Sequence, residues 1–201
     1  MRPRPALACA ALALSIGGCG GSADTRDQWL VTVSTDANVP QFGDRLLVEI
    51  DDENGEVCTS CRRLFDASKA ENWPVSFGVV DSARATRIRA RLLRSPLLGS
   101  QDTLGAGLLL DAGGLLPRPS GVTPVSLRLS MECFGVVADL ASDQACDPKT
   151  HALAPLAVAN AEPPLTVAGW APAQPTACAT VQPEGMSCVP GGAFLLGDAT
   201  R

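Results

Sequence analysis

Thr86-Arg87-Ile88-Arg89-Ala90-Arg91-Leu92-Leu93-Arg94 is the stretch whose reading decides the fold. Ile88, Ala90 and Leu92 recur at every second residue, and Arg87, Arg89 and Arg91 fill the places between them. Successive side chains of an extended strand point to opposite sides, so this period predicts one buried face and one wet face. Val125–Met131 repeats the pattern, with Val125, Leu127, Leu129 and Met131 one way and Ser126, Arg128 and Ser130 the other. Outward from these two, Trp29–Val33, Arg45–Ile50 and Val75–Val80 are further strand candidates, and Gly107–Leu110 is a weaker one. Asn54-Gly55 behind Ile50 is a strong hairpin signal. A short helix is expected only over Phe65–Glu71. Gly105-Ala106-Gly107 and Gly113-Gly114 lack the lysine and the strand-to-helix context of a phosphate loop, and read as turns.

Short strands separated by Gly, Pro and Asp turns predict a mainly β fold, an antiparallel β-sandwich of the Ig or transthyretin-like kind. No helical period of 10–15 residues separates the strands, which argues against a parallel α/β sheet. Composition agrees: 46% of the residues are apolar and only 18% charged, and the 19 Gly and 16 Pro suit many turns. The chain has 201 residues, enough for one core and at most two domains.

At the N-terminus, Met1–Pro5 carries Arg2 and Arg4, and Ala6–Ile16 is an apolar run of 11 residues. That is the length of a signal-peptide core rather than of a membrane span. Ile16-Gly17-Gly18-Cys19 follows at once and resembles the bacterial lipobox, whose cysteine accepts a diacylglyceryl group before cleavage. The resemblance implies a signal peptide over 1–18, lipidation at Cys19, and palmitate-type acyl chains that hold the mature protein in a membrane. The alternative is an ordinary secretory signal with a chance cysteine. Gly20 stands where an inner-membrane retention Asp would be, so the expected address is the outer membrane. Residues 19–27 read as a tether, flexible over Gly20–Ala23. Loss of residues 1–18 leaves 14 basic and 21 acidic residues, a net charge of −7. That balance excludes general nucleic-acid binding, which needs a basic footprint.

Six cysteines follow Cys19, at positions 58, 61, 133, 146, 178 and 188. An even number in an exported chain implies disulfides. Short local spacing favours Cys58 with Cys61, Cys133 with Cys146, and Cys178 with Cys188, among the several pairings that six cysteines allow. Cys58-Thr59-Ser60-Cys61 has the spacing of a redox dithiol, and Arg62 and Arg63 would lower a thiol pKa, but no βαβ context surrounds it. A zinc site of Cys58, Cys61, Cys133 and Cys146 fits less well still, because its second pair is 13 positions apart. No metal and no cofactor are expected.

His151 is the single histidine. It lies in a Pro- and Ala-rich segment, and no nucleophile elbow accompanies it, so no catalytic residue is assigned and no enzyme activity is expected. The acidic run Asp51–Glu56 lacks the EF-hand glycine position and reads as a hairpin tip. The arginines Arg84, Arg87, Arg89, Arg91 and Arg94 form a candidate anion-binding stripe for acidic glycans or lipid head groups. The plainer reading of the same stripe is a solvated, edge-guarding strand face.

The last residues hold a second resemblance. Pro183–Asp198, with Met186, Val189-Pro190-Gly191-Gly192, Phe194 and Gly197, resembles the opening of a formylglycine-generating-enzyme (sulfatase-modifying-factor) domain. Leu196 stands where a Met is common. The resemblance implies a truncated start, since the family's catalytic cysteines and calcium ligands belong to a downstream region this chain does not contain. The expected organisation is a signal peptide over 1–18, a tether over 19–27, a β-sandwich over 28–147, a Pro/Ala-rich linker or surface strap over 148–177, and a partial domain start over 178–201. The expected role is a membrane-anchored, non-catalytic envelope lipoprotein that binds a protein or glycan partner or acts as a spacer. The competing expectation is the accessory front part of a larger formylglycine-generating-enzyme-like protein.

Overall fold

The computed structural model describes residues 26–52, 56–80, 85–97, 110–174, 176–178 and 184–193. The signal segment, Cys19, most of the tether, Asn54-Gly55, Arg84, residues 107–109 of the strand expected over Gly107–Leu110 and the stretch after Ala193 lie outside the described residues.

The described chain is mainly β. Nine strands follow in order: β1 Gln28–Thr35, β2 Arg45–Asp52, β3 Arg63–Asp66, β4 Val75–Val80, β5 Ala85–Leu93, β6 Leu110–Leu115, β7 Val122–Leu129, β8 Gln144–Asp147 and β9 Ala152–Pro155. One sheet has the order β4-β1-β7, the facing sheet β3-β2-β5-β6, and β8 and β9 form a separate hairpin. The sandwich expectation therefore holds, with one departure from a wholly antiparallel arrangement. β1 and β7 run parallel over Gln28–Thr35 and Val122–Leu129. A parallel neighbour needs a long crossover, and here the whole second sheet is threaded between the two strands.

The alternating residues do what their period requires. Trp29, Val31 and Val33 of β1, Leu46, Val48 and Ile50 of β2, Ile88, Ala90 and Leu92 of β5, and Val125, Leu127 and Leu129 of β7 make one buried cluster between the sheets. Each large aliphatic side chain placed there contributes on the order of 1.5–3 kcal/mol. Trp29 adds a polar anchor by donating its indole N–H to the carbonyl of Pro117 at 2.7 Å.

Three local expectations are corrected. The segment expected as a helix, Phe65–Glu71, instead begins inside β3 and reaches a single 3-10 turn over Ala70–Asn72. Phe65 pairs opposite Leu46 and packs on Phe77 of β4, ring centroids 5.1 Å apart, so tertiary contact overrides a weak local preference. Gly113-Gly114 is not a turn but lies inside β6. A β-carbon on Gly113 would lie 3.1 Å from Leu140 and 3.3 Å from Leu156, and one on Gly114 would lie 3.1 Å from Ala159, so glycine permits close layers on both sides. Finally, residue 147 is not a boundary, because the β8–β9 hairpin pairs Gln144–Asp147 with Ala152–Pro155 across it.

That hairpin begins a third layer. Ala138, Leu140, Ala145 and Leu156 form a small cluster of their own with Leu115 of β6. Beyond β9 the Pro/Ala-rich segment runs as a strap on the sandwich. Leu115 donates to the carbonyl of Ala157, Ala159 donates back to Leu115, and Ser126 of β7 donates to Asn160. Further on, Leu165 donates to the Ser34 hydroxyl, Ala168 to the carbonyl of Ala37 and Trp170 to that of Asp36.

Candidate functional site

The outer face of β5 carries Arg87, Arg89 and Arg91 of the arginine stripe, and each is paired with a carboxylate of this chain. Arg89 donates to both oxygens of Asp111, at 2.9 and 2.5 Å, and also to the carbonyl of Ala138 at 3.2 Å. Asp111, from β6, is fully buried and takes a third hydrogen bond from the N–H of Ala138 at 2.9 Å. Arg91 pairs with Glu49 of β2, whose other oxygen lies 3.3 Å from Arg62. Arg87 reaches Asp143 at 2.7 Å and the carbonyl of Asp52 at 3.0 Å. The side chains of Arg87, Arg89 and Arg91 are only 14–17% exposed. Arg94 lies just beyond β5, half-buried. The wet strand face expected at Arg87, Arg89 and Arg91 is thus corrected: each is mostly shielded and paired with a carboxylate of this chain, although Nε of Arg91 is buried without a hydrogen-bond partner.

The pKa shifts follow from this crowding. Burial works against the charge of Arg89, but the hydrogen bonds and charge of Asp111 outweigh it and hold the guanidinium above its usual value. Arg91 is lowered, by burial and then by Arg89, with Glu49 opposing. Asp51, also on this outer face, is raised by burial and by neighbouring Glu49 despite three nearby arginines, and its Oδ1 has no hydrogen-bond partner.

Beside this network lies a cleft of about 340 Å³ between the edges of β6 and β7. Ala112, Gly113 and Gly114 give it a floor that is mostly backbone, the strap residues 157–160 bound one side, and Asp147 and Lys149 of the hairpin bound another. Ser126 accepts from the N–H of Glu162 at 3.0 Å, and Glu162 pairs with Arg128 at 3.0 Å on the rim. The lining is therefore made of small residues and is more apolar than polar, with Ser126, Asn160 and charged groups of both signs, Arg128, Asp147, Lys149 and Glu162, set around it; such a surface suits a partner with both apolar and hydrogen-bonding groups.

The cysteines pair as their spacing favours: Cys58 with Cys61, Cys133 with Cys146, and Cys178 with Cys188. Cys133–Cys146 ties the end of β7 to β8 and so pins the third layer. Cys58–Cys61 follows β2, where the N–H of Cys58 donates to the carbonyl of Ile50. Only a three-residue 3-10 turn stands at Thr59–Cys61, not the longer helix that activates a redox thiol, and Arg62 is turned to Glu49. The zinc arrangement would need Cys58, Cys61, Cys133 and Cys146 together; Cys58 and Cys61 instead share one disulfide, and Cys133 and Cys146 another. No group of three His, Cys, Asp or Glu among the described residues is placed to share a metal ion.

His151 sits in the β8–β9 turn with positive φ, and its Nε2 lies 3.1 Å from Glu132. The other oxygen of Glu132 accepts the indole N–H of Trp170 at 2.9 Å, so this carboxylate joins the hairpin and the strap to the end of β7. Neither Glu132 nor Asp111 is visible as a site residue in the sequence. Asp111 leaves one signal, a lone acid inside the apolar run 108–112. The cleft leaves none, since its walls come from segments as much as 50 residues apart.

No family matches the chain, and no curated protein matches it. Among solved structures, it is similar to a candidate cell adhesion protein from Bacteroides eggerthii DSM 20697, at 9% identity and a TM-score of 0.32. The likeness covers 51% of this chain and 39% of that protein, so this chain spans well under half of its length.

Proposed function

We propose that this chain is an exported, lipid-anchored envelope protein whose β-sandwich serves as a non-catalytic binding or spacer module. The observation that carries the reading is the pairing of all six cysteines after Cys19 into three disulfides. Such bonds persist in oxidising compartments outside the cytoplasm. The basic start, the apolar run and Ile16-Gly17-Gly18-Cys19 supply a matching route of export and an acyl acceptor. With Arg87, Arg89 and Arg91 paired to carboxylates of this chain, the partner surface in this reading is the cleft between β6 and β7, and the partner is a glycan or an exposed peptide segment. Such ligands are recognised by the hydroxyl, amide and mixed-charge groups of Ser126, Asn160, Lys149 and Glu162.

A second reading draws on the other end. Met186 and Val189 are 68% and 85% exposed, the most exposed large apolar side chains among the described residues. That exposure favours a segment whose packing partner is a further domain, as the resemblance to a formylglycine-generating-enzyme opening implies.

The deciding experiment is the intact mass of the native protein extracted from its own membranes, before and after reduction. The first reading expects residues 19–201 plus acyl chains, with two hydrogens gained per disulfide on reduction. Cleavage without acylation sinks the anchor. A product larger by a whole domain moves the second reading to the front.

A further inference from the structure

We propose that the open edge of β4 is an interaction surface for a second copy of this chain, joined β4 to β4 in antiparallel fashion across a two-fold axis.

The starting point is how the four edges of the two facing sheets are treated. A strand edge presents unpaired N–H and C=O groups, and proteins that stay monomeric guard such edges with charge, shortness, proline, bulges or a covering segment. The edge of β6 is covered, because Leu115 exchanges hydrogen bonds with Ala157 and Ala159. The edge of β7 is met by Asn160 and carries the Arg128–Glu162 ion pair. β3 is only four residues long and is charged at both ends, with exposed Arg63 on the core side of the strand opposite Val48. β4 has none of these devices among the described residues. Its six residues, Val75-Ser76-Phe77-Gly78-Val79-Val80, include no charge and no proline, and its register with β1 runs without a bulge.

Burial shows the same edge from the inside. Val75, Phe77 and Val79 point at the core, yet they remain half-buried, whereas their β1 partners Val33, Val31 and Trp29 are fully enclosed. One more strand beside β4 would complete their burial. On the outer face, Ser76, Gly78 and Val80 are exposed, and beside them Leu30 of β1 and Val122 of β7 continue a surface without charge.

The occupant follows from complementarity. Antiparallel pairing sets residues of one face opposite residues of the same face, so the symmetric registers place Phe77 on Phe77 or Gly78 on Gly78. In both registers every pair formed within Val75–Val80 is small or apolar, and no like charges meet there. β3 lies under β4, as the Phe65–Phe77 contact shows, and its basic end at Arg63 and acidic end at Asp66 would face the opposite ends of the second copy's β3. A self-matching patch of this kind is isologous and closes at two copies rather than growing into a fibre. The edge is short compared with the roughly 800 Å² per partner of a standard interface, so the dimer forms reversibly with concentration.

The test is sedimentation velocity on the full chain as isolated from its own cells, across a wide concentration range, beside Gly78→Lys and Val80→Lys. Gly78 tolerates a side chain, since a β-carbon there meets only the Gln28 amide at 3.6 Å. The expected result is a mass approaching twice the monomer for the wild type, and monomers for both lysine variants with unchanged thermal midpoints. Hydrogen exchange on the wild type needs no variant, and the β4 amides are expected to slow several-fold at high concentration. A wild type that stays monomeric throughout overturns the proposal, as do lysine variants that dimerise equally well or β4 exchange indifferent to concentration.

Discussion

Asp111 and Asp51 are two acids on the same buried face, and their surroundings make them opposites. Asp111 accepts three hydrogen bonds from the Arg89 guanidinium and the Ala138 N–H. Asp111→Ala leaves the Arg89 charge buried without its partner, and we expect a loss of about 3 kcal/mol in stability, read by urea denaturation. The double variant Arg89→Met with Asp111→Leu should recover most of that loss, because no charge is then stranded. Asp51, by contrast, is raised by burial and by Glu49 and has an unpartnered oxygen. A carboxyl whose folded pKa lies above its unfolded value costs stability when ionised. That cost is full at neutral pH, shrinks as pH falls through the folded pKa and is gone below the unfolded value of 3.8. Asp51→Asn is therefore expected to stabilise the protein by about 1 kcal/mol at pH 7, with the advantage disappearing towards pH 3. An advantage that persists unchanged at pH 3 would rule out the electrostatic cause. Asp66 and Asp139, lowered by their hydrogen bonds to Ser68 and Ser142, work in the other direction and weaken the fold as pH falls through their folded values.

Among the elements, β6 shows why a strand can hide. Leu110, Ala112 and Gly114 alternate inward, but two adjacent glycines suppress both the hydrophobic period and the strand propensity by which an isolated segment is recognised. The glycines are needed by neighbours distant in sequence, Leu140 and Leu156 on one side and Ala159 on the other. Gly113→Val is expected to lift the β8–β9 hairpin from β6 and to cost about 1–3 kcal/mol by overpacking. The check is hydrogen exchange over 140–156, which should speed up while β1 and β2 keep their protection. The same dependence on distant contacts explains Phe65–Glu71, where the helical expectation yields to pairing with β2.

At the level of the whole molecule, the strap gives the sandwich its closure. Residues 157–170 cover the β6 and β7 edges and end at Trp170, whose indole donates to Glu132 and whose backbone donates to Asp36. Asp36 in turn accepts the N–H of Met131 at 2.7 Å, so the end of β1, the end of β7 and the strap meet at one place. Trp170→Ala should free the strap before the sandwich unfolds. Limited proteolysis is expected to cut within 160–170 under conditions where wild-type protein resists, with the thermal midpoint lowered by only a few degrees. Simultaneous loss of the sandwich and the strap would show instead that the two form one cooperative unit.

The sequence by itself determined the β class, the strands β1, β2, β4, β5 and β7, and the inward faces of β5 and β7, and it favoured the pairing of neighbouring cysteines without fixing it. Period-two alternation and short loop separation are local properties, and they survive whatever the rest of the chain does. Tertiary structure alone decided that the arginines of β5 would face partners rather than water. Solvent and a second protein layer leave the same alternating pattern, and only the arrival of Asp111, Glu49 and Asp143 separates the two cases. It also decided the parallel β1–β7 pairing, the strap and the cleft, because each joins residues tens of positions apart through contacts that have no local period to announce them.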